Sequence, residues 1–311
     1  MIQKFFALSV LIFTFLFSFA QQKNDTTVKV DGNYITMSEI VVNNKLDVAS
    51  FINRVKNDTT FYKAFRNLRI LGYTSLNDIR MLDKNGKVQA SLQSKTQQIR
   101  SENCRKMKVL QQSVKGDIFD NSGNYNYYTA QMYAGLFFTK DSVCGENNIV
   151  KGHDFSTSGL SGIEKHKEQL KMLFFNPGKK INGLPFISNK TAIFDESMAD
   201  KYDMNIDFRD YENIPCYVFT IKVKDGQESS VVIDEMTTWF SEKNFEIVAR
   251  NYSLNYDAGV YDFKVDMEVK MTKAGDLLVP ALLRYNGSWK VIFKKRERGV
   301  FTATLFDFVN P

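Results

Sequence analysis

Residues 260–272 have the sequence VYDFKVDMEVKMT, which is the strongest indication of fold in the chain. From Tyr261 to Met271 every second residue is apolar, and every residue between them is charged. Because successive side chains of a β-strand point to opposite faces, one face of this strand meets water and the other is covered. The pattern predicts an antiparallel strand with one buried face.

This strand belongs to a longer series. Short turns such as Asp257-Ala258-Gly259 and Asn286-Gly287 separate extended segments rich in β-branched and aromatic residues. The eight predicted strands are 204–209, 216–224, 231–240, 246–256, 260–272, 277–285, 289–296 and 300–309. Eight consecutive strands predict an antiparallel meander, which forms either a curved open sheet or a barrel.

The preceding part of the chain adds helices to this sheet. After a hairpin around Asp31-Gly32-Asn33, apolar residues at helical spacing predict helices over 48–56, 60–68, 127–138 and 161–175. We therefore expect an α+β fold, a curved antiparallel half-barrel with helices packed on or plugging its concave face. The predicted divisions are a signal peptide at 1–20, an N-terminal hairpin with helices at 21–68, and a half-barrel-like domain at 69–311.

The composition is that of a globular protein. Of the 311 residues 43% are hydrophobic and 24% charged, with a net charge of +6. These values exclude a disordered tail and a membrane protein with many spans. Aromatic residues are abundant, with 26 Phe and 14 Tyr against only 2 His. The aromatic side chains must therefore be buried or stacked somewhere in the fold.

The first 20 residues predict a secretory signal peptide. Lys4 precedes an apolar run from Phe5 to Phe17, and Ser18-Phe19-Ala20 places small residues at a cleavage site near Ala20. The alternative is a retained anchor, although the run is shorter than the roughly 20 residues that a spanning helix needs. We expect export to the periplasm, with association to the outer membrane left open.

Three cysteines are too few for a disulfide framework, although an exported protein can form disulfides. Cys104 and Cys144 lie in polar surroundings, whereas Cys216 lies in an apolar run. We predict a bridge between Cys104 and Cys144 with Cys216 as a free thiol. The alternative is that all three are unpaired small hydrophobic side chains.

The sequence contains no motif for catalysis, a metal or a cofactor. It has no H-E-x-x-H, C-x-x-C, G-x-S-x-G, P-loop or G-x-G-x-x-G pattern. His153 precedes Asp154, which could form half of a metal or base pair, but a polar loop favours a solvated histidine. His166 falls on the apolar face of its predicted helix, which favours packing. We expect no enzyme activity, and export with charges of both signs disfavours nucleic acid as a partner.

Two parts of the chain resemble known envelope proteins. Residues 236–250, MTTWFSEKNFEIVAR, and the ending from Trp289 to Phe308 resemble the outer-membrane lipoprotein-carrier (LolA-like) superfamily. The segment ITMSEIVV at 35–42, followed by Phe51-Ile52 and TFYKAFR at 60–66, is similar to a segment of Gram-negative envelope proteins that precedes such a half-barrel. The resemblance implies a periplasmic carrier or sensor of lipid or lipoprotein acyl chains, but it supplies no ligand-contact motif.

A covered sheet face suggests a place for a ligand. If helices leave a cavity over the concave face, it would suit a hydrophobic molecule such as a lipid or an acyl chain. The residues expected to line it are Phe219, Trp239, Phe263, Val265, Met267 and Trp289. The alternative is a dry core, in a module that docks on another envelope protein. The basic run 294–298, KKRER, predicts either attraction to anionic lipid headgroups or a charged strand end.

Overall fold

The structure is a computed structural model that describes residues 25–150, 172–181, 187, 189–259, 261–291 and 294–310. Its helices are α1 (Glu39–Asn43), α2 (Val48–Asn57), α3 (Thr60–Asn67), α4 (Tyr128–Phe137) and α5 (Glu196–Ala199). Its first strands are β1 (Thr26–Val30), β2 (Asn33–Met37), β3 (Gly72–Leu82), β4 (Val88–Ser101), β5 (Cys104–Lys115) and β6 (Ser142–Cys144). The others are β7 (Tyr202–Tyr211), β8 (Ile214–Val223), β9 (Ile233–Ser241), β10 (Ile247–Asp257), β11 (Tyr261–Ala274), β12 (Leu277–Val291) and β13 (Glu297–Val309).

All thirteen strands form one open sheet, in the order β1-β2-β7-β8-β9-β10-β11-β12-β13-β3-β4-β5-β6. Neighbouring strands are antiparallel, except that β2 runs parallel to β7. The strands from β7 to β13 follow sequence order, and β3 then pairs with β13. The predicted α+β class, an unclosed and mostly antiparallel half-barrel sheet with helices on one face, is confirmed. The division at residue 68 stays a prediction, and the hairpin β1–β2 lies in the same sheet as the meander.

Helices cover one face of the sheet, which we call the inner face. Phe51 of α2 lies against rings of β8 and β9, with its centroid 6.3 Å from Phe219 and 5.4 Å from Phe240. Tyr133 of α4 lies against β12 and β13, 4.4 Å from Tyr285 and 5.6 Å from Phe301. The aromatic excess of the sequence is therefore concentrated between the helices and the inner face.

The alternation along β11 has the predicted outcome. Phe263, Val265 and Met267 are at most 5% exposed and belong to the core. The intervening Lys264 and Asp266 are exposed to solvent on the outer face. The strand therefore has one covered face and one wet face, as the sequence predicts.

The turn predicted at Asn286-Gly287 is wrong. Both residues lie inside β12, where Asn286 pairs with Asp266 and Gly287 pairs with Val265 of β11. The meander therefore has seven strands from β7 to β13 instead of eight. Glycine at position 287 lets the Tyr285 side chain pack directly against the backbone, because a Cβ atom there would lie 2.1 Å from the Oη atom of Tyr285.

Several predictions concern residues outside the described ranges. These are the signal peptide at 1–20, His153, His166 and most of the helix predicted at 161–175; its last residues, 172–175, are helical. Within the described ranges, no helix combines the length and the hydropathy required to cross a bilayer.

Candidate functional site

Five of the six residues predicted to line a ligand site are packed in the core. Phe263 stacks on Trp289 with centroids 4.7 Å apart, and Phe219 stacks on Phe194 at 6.2 Å. Val265 and Met267 are also buried on the inner face. These side chains pack against other core residues, and a role for them in ligand contact stays a prediction.

The placement of Trp239 with the other five is wrong. In β9 the neighbouring Phe240 points to the inner face, where it contacts Phe51. Strand alternation therefore turns Trp239 to the outer face, where it is partly exposed and lies 5.2 Å from the ring of Tyr211. Trp239 cannot contribute to the same apolar wall as Phe263.

A cavity of about 170 Å³ lies between α3, α4 and the sheet, beside the start of β3, the end of β4 and the second half of β13. We call it the aromatic cavity. Its apolar lining consists of Tyr62, Phe65, Leu68, Tyr73, Leu136, Phe137, Phe138, Phe175, Ala303 and Leu305. Its polar lining consists of Arg66, Arg69, Ser75, Gln98, Arg105 and Glu146, and Gly135 completes it.

Stacked rings form the apolar wall of the aromatic cavity. Phe65 of α3 stacks on Phe175 with a centroid distance of 4.2 Å, and Phe137 of α4 meets Phe175 edge-on at 5.8 Å. These contacts hold α3, α4 and residues 172–175 around one apolar space. Gly135 of α4 lies at the exposed edge of this space, and a Cβ atom there would have no neighbour within 4 Å.

The opposite wall carries the arginine cluster, which consists of Arg66, Arg69, Arg105 and Glu146. Glu146 is held from two sides, with its Oε1 atom 3.0 Å from Nη1 of Arg69 and its Oε2 atom 2.5 Å from Nε of Arg105. Arg66 is the third cation, and its Nη2 atom donates to the backbone oxygen of Asn147 at 3.0 Å. Three guanidinium groups therefore face one carboxylate.

A buried glutamine fixes Arg105 in this cluster. Gln98 donates to the backbone oxygens of Leu68 and Leu71, at 2.6 and 2.7 Å, which leaves its own oxygen as an acceptor. That oxygen accepts from Nη1 of Arg105 at 3.0 Å, and Thr139 also accepts from Arg105. These hydrogen bonds give the guanidinium group of Arg105 a defined orientation.

The charges in the cluster shift one another's pKa values. Burial alone raises the pKa of Glu146, but the hydrogen bond from Arg105 and the charges of Arg69, Arg105 and Arg66 outweigh it, so the pKa is lowered. Burial lowers the pKa of Arg69, and the charge of Arg66 acts in the same direction. Glu146 is therefore ionised at neutral pH, and the excess positive charge remains.

A disulfide ties Glu146 to the sheet. Cys104 of β5 and Cys144 of β6 are paired residues, with Cα atoms 4.0 Å apart and their sulfur atoms bonded. Glu146 follows Cys144 by two residues, so the bond holds the backbone before it beside β5, and the side chain of Glu146 can still turn. Cys216 is a free and buried thiol.

A second cavity of about 190 Å³ lies beside the N-terminus of α4. Trp289 lines it together with Lys294, Lys295 and Glu297. Glu297 accepts hydrogen bonds from the backbone nitrogens of Tyr128 and Thr129, at 3.1 and 2.8 Å, and so caps α4. This part of the basic run thus has a structural role at a helix end.

The aromatic cavity combines apolar and charged walls. It offers ring faces and aliphatic side chains on one side and fixed cationic donors on the other. No group of three or more metal-ligating side chains occurs in the part of the chain that the structure describes.

The arginine cluster is not among the site residues predicted from the sequence. Its members come from α3, the turn after it, β5 and the segment after β6, and tertiary folding alone brings them together. One local signal was present, because Arg66 and Arg69 are three residues apart and border the buried Phe65 and Leu68. Arginines at the edge of an apolar helix face could have indicated a charged rim.

No family model and no curated protein matches the chain. The solved structures that match include two that align along most of its length. One is a DUF1329 family protein from Desulfovibrio piger, at 11% identity and a TM-score of 0.27, covering 83% of this chain and 92% of that chain. The other is an outer membrane lipoprotein-sorting protein domain from Vibrio parahaemolyticus, at 8% identity and a TM-score of 0.26, covering 80% of this chain and 90% of that chain.

Proposed function

We propose that this protein is an exported, non-catalytic binding protein for a hydrophobic ligand, a lipid or an acyl chain, which it holds in the aromatic cavity. The supporting observation is the cavity of about 170 Å³ between the helices and the inner face. The signal peptide predicted at 1–20 supports a periplasmic location.

The size of the cavity limits the ligand. A cavity of about 150 Å³ in another protein takes a molecule the size of benzene. The aromatic cavity, at about 170 Å³, therefore accepts a segment of a single acyl chain, and the remainder of a longer ligand extends into solvent. This protein would thus grip one chain instead of enclosing a whole lipid.

Native mass spectrometry of gently purified protein tests the proposal, together with titration of a fluorescent fatty acid. We expect wild-type protein to retain a lipid and to bind the probe. Gly135→Leu places a large side chain at the open edge of the cavity and should weaken binding at least tenfold, whereas Gly135→Ala, which adds one methyl group there, should bind nearly as well as wild type. Clean apo protein with no probe binding refutes the proposal.

A docking role is the second candidate, and the exposed side of β5 favours it. Val109, Leu110 and Val114 of this strand are 58, 47 and 42% exposed. Among the described residues, β6 pairs only with the segment from Cys104 to Lys106, so the rest of β5 forms a sheet edge. If this edge docks on an outer-membrane complex, the double variant Val109→Lys/Leu110→Lys should lose co-sedimentation with outer-membrane vesicles. Unchanged co-sedimentation, or none with wild type, refutes docking through β5.

A further inference from the structure

We propose that the aromatic cavity selects amphiphiles with an anionic head group, a carboxylate or a phosphate, which Arg66, Arg69 and Arg105 bind. We further propose that Glu146 is a built-in competitor for this head-group position. The inference rests on the proposed function, since it specifies the ligand of the same cavity.

The charge on the cavity wall is unbalanced. Arg66, Arg69 and Arg105 carry three positive charges against the single negative charge of Glu146, on the wall of a partly enclosed space that aromatic rings also line. The Nε atom of Arg66 is buried and has no hydrogen-bond partner among the described residues. A buried donor without an acceptor is unfavourable, so an anionic group placed beside it would be stabilised.

The Glu146 carboxylate lies between Arg69 and Arg105. Arg69 and Arg105 each contact one of its two oxygens, which is how two guanidinium groups would hold the head group of a bound fatty acid. Glu146 lies on a short segment after β6, outside the helices and strands. It can therefore move aside by a local change, while Gln98 and Thr139 keep Arg105 in place.

Charge and apolar surface lie side by side in the cavity. The arginine cluster and the stacked rings of Phe65, Phe137 and Phe175 line one continuous space. A ligand with a chain on the rings therefore has its head group beside the guanidinium groups. A neutral hydrophobic molecule of the same length would fill the apolar part without using the charges.

Calorimetric titration with octanoate, octyl phosphate and octanol, which share one chain, tests the inference. We expect the anionic ligands to bind at least tenfold more tightly than octanol, and high salt to reduce that preference. The tighter of octanoate and octyl phosphate identifies the head group as carboxylate or phosphate. Arg66→Gln should lower the affinity for octanoate to nearly that for octanol. The matched control Lys63→Gln, which removes an exposed charge of α3, should leave both affinities unchanged.

The Glu146→Gln variant tests the competitor role. It should bind octanoate about tenfold more tightly than wild type and octanol equally well, a gain that partial unfolding cannot produce. Equal affinity of wild type for all three ligands overturns the inference and leaves the proposed function standing. Failure of all three to bind refutes both, and a Glu146→Gln variant without any gain overturns the competitor role.

Discussion

Replacement of Gly287 by alanine should destabilise the protein strongly, although the backbone at this position suits any residue. The added Cβ atom would lie 2.1 Å from Oη, 2.4 Å from Cζ and 2.6 Å from Cε1 of Tyr285, so the ring must move. Tyr285 is 3% exposed and accepts a hydrogen bond from Nε1 of Trp289 at 2.6 Å. Moving the ring breaks that bond and disturbs the contact with Tyr133.

The magnitude follows from two costs. Leaving the buried N–H of Trp289 without its acceptor costs about 1–3 kcal/mol, and overpacking a filled core costs a further 1–3 kcal/mol. We expect Gly287→Ala to lower the free energy of unfolding by about 3 kcal/mol, measured by urea unfolding of the oxidised protein with far-ultraviolet circular dichroism.

Gly299 provides the matched control. It is paired with Gly287 across β12 and β13, but a Cβ atom there would meet Met81 and Tyr133 at 3.4 Å, an ordinary contact distance. Gly299→Ala should therefore change stability by less than about 1 kcal/mol. If Gly287→Ala is as stable as Gly299→Ala, the close packing of Tyr285 on Gly287 is refuted.

Three further predictions concern buried charge and the disulfide. Burial lowers the pKa of Lys179 from 10.5 to about 8, so the charged side chain destabilises the folded protein most below pH 8 and progressively less up to pH 10.5. Urea unfolding at a series of pH values should therefore show wild type gaining stability relative to Lys179→Met over this interval. Arg250→Met removes the buried ion pair with Asp58, 4.0 Å away, and should lower the free energy of unfolding by about 3 kcal/mol in urea unfolding, more than the substitution of an exposed residue. Replacing Cys104 and Cys144 by serine should cost about 4 kcal/mol, because the bond closes a loop with a sequence separation of 40; an unchanged unfolding midpoint would contradict this.

Much of the sheet was predictable because strand alternation is a local property. The charged and apolar residues of β11 alternate from Tyr261 to Met271, and the structure has a strand there with the expected face buried. The helix predicted over 48–56 also forms, as α2, and the Oδ1 atom of Asp47 before it accepts from the backbone nitrogen of Ser50 at 3.1 Å. In both cases the determining contacts lie within one element or across one neighbouring strand.

The errors occurred where distant residues determine the local structure. Asn286-Gly287 has the composition of a tight turn, but Tyr285 requires a small neighbour and β11 pairs through the position, so the strand continues. Trp239 was assigned by its hydrophobicity, whereas its face follows from the register of β9. The arginine cluster depends on α3 meeting β5 and the segment after β6, which no local pattern specifies.

The pairing of β13 with β3 has a consequence for how the chain folds. Ile79 of β3 pairs with Phe301 of β13, so an early strand of the chain can pair with this neighbour only after the last strand has been synthesised. Contacts between such distant segments close a very large loop and slow the folding of a domain. The β3–β4–β5 hairpins can form early, but they gain their neighbour in the sheet only when the C-terminal end is available. Loss of the final strand would therefore divide the sheet into two separate pieces, and a chain that lacks β13 should be more sensitive to proteolysis than the whole protein.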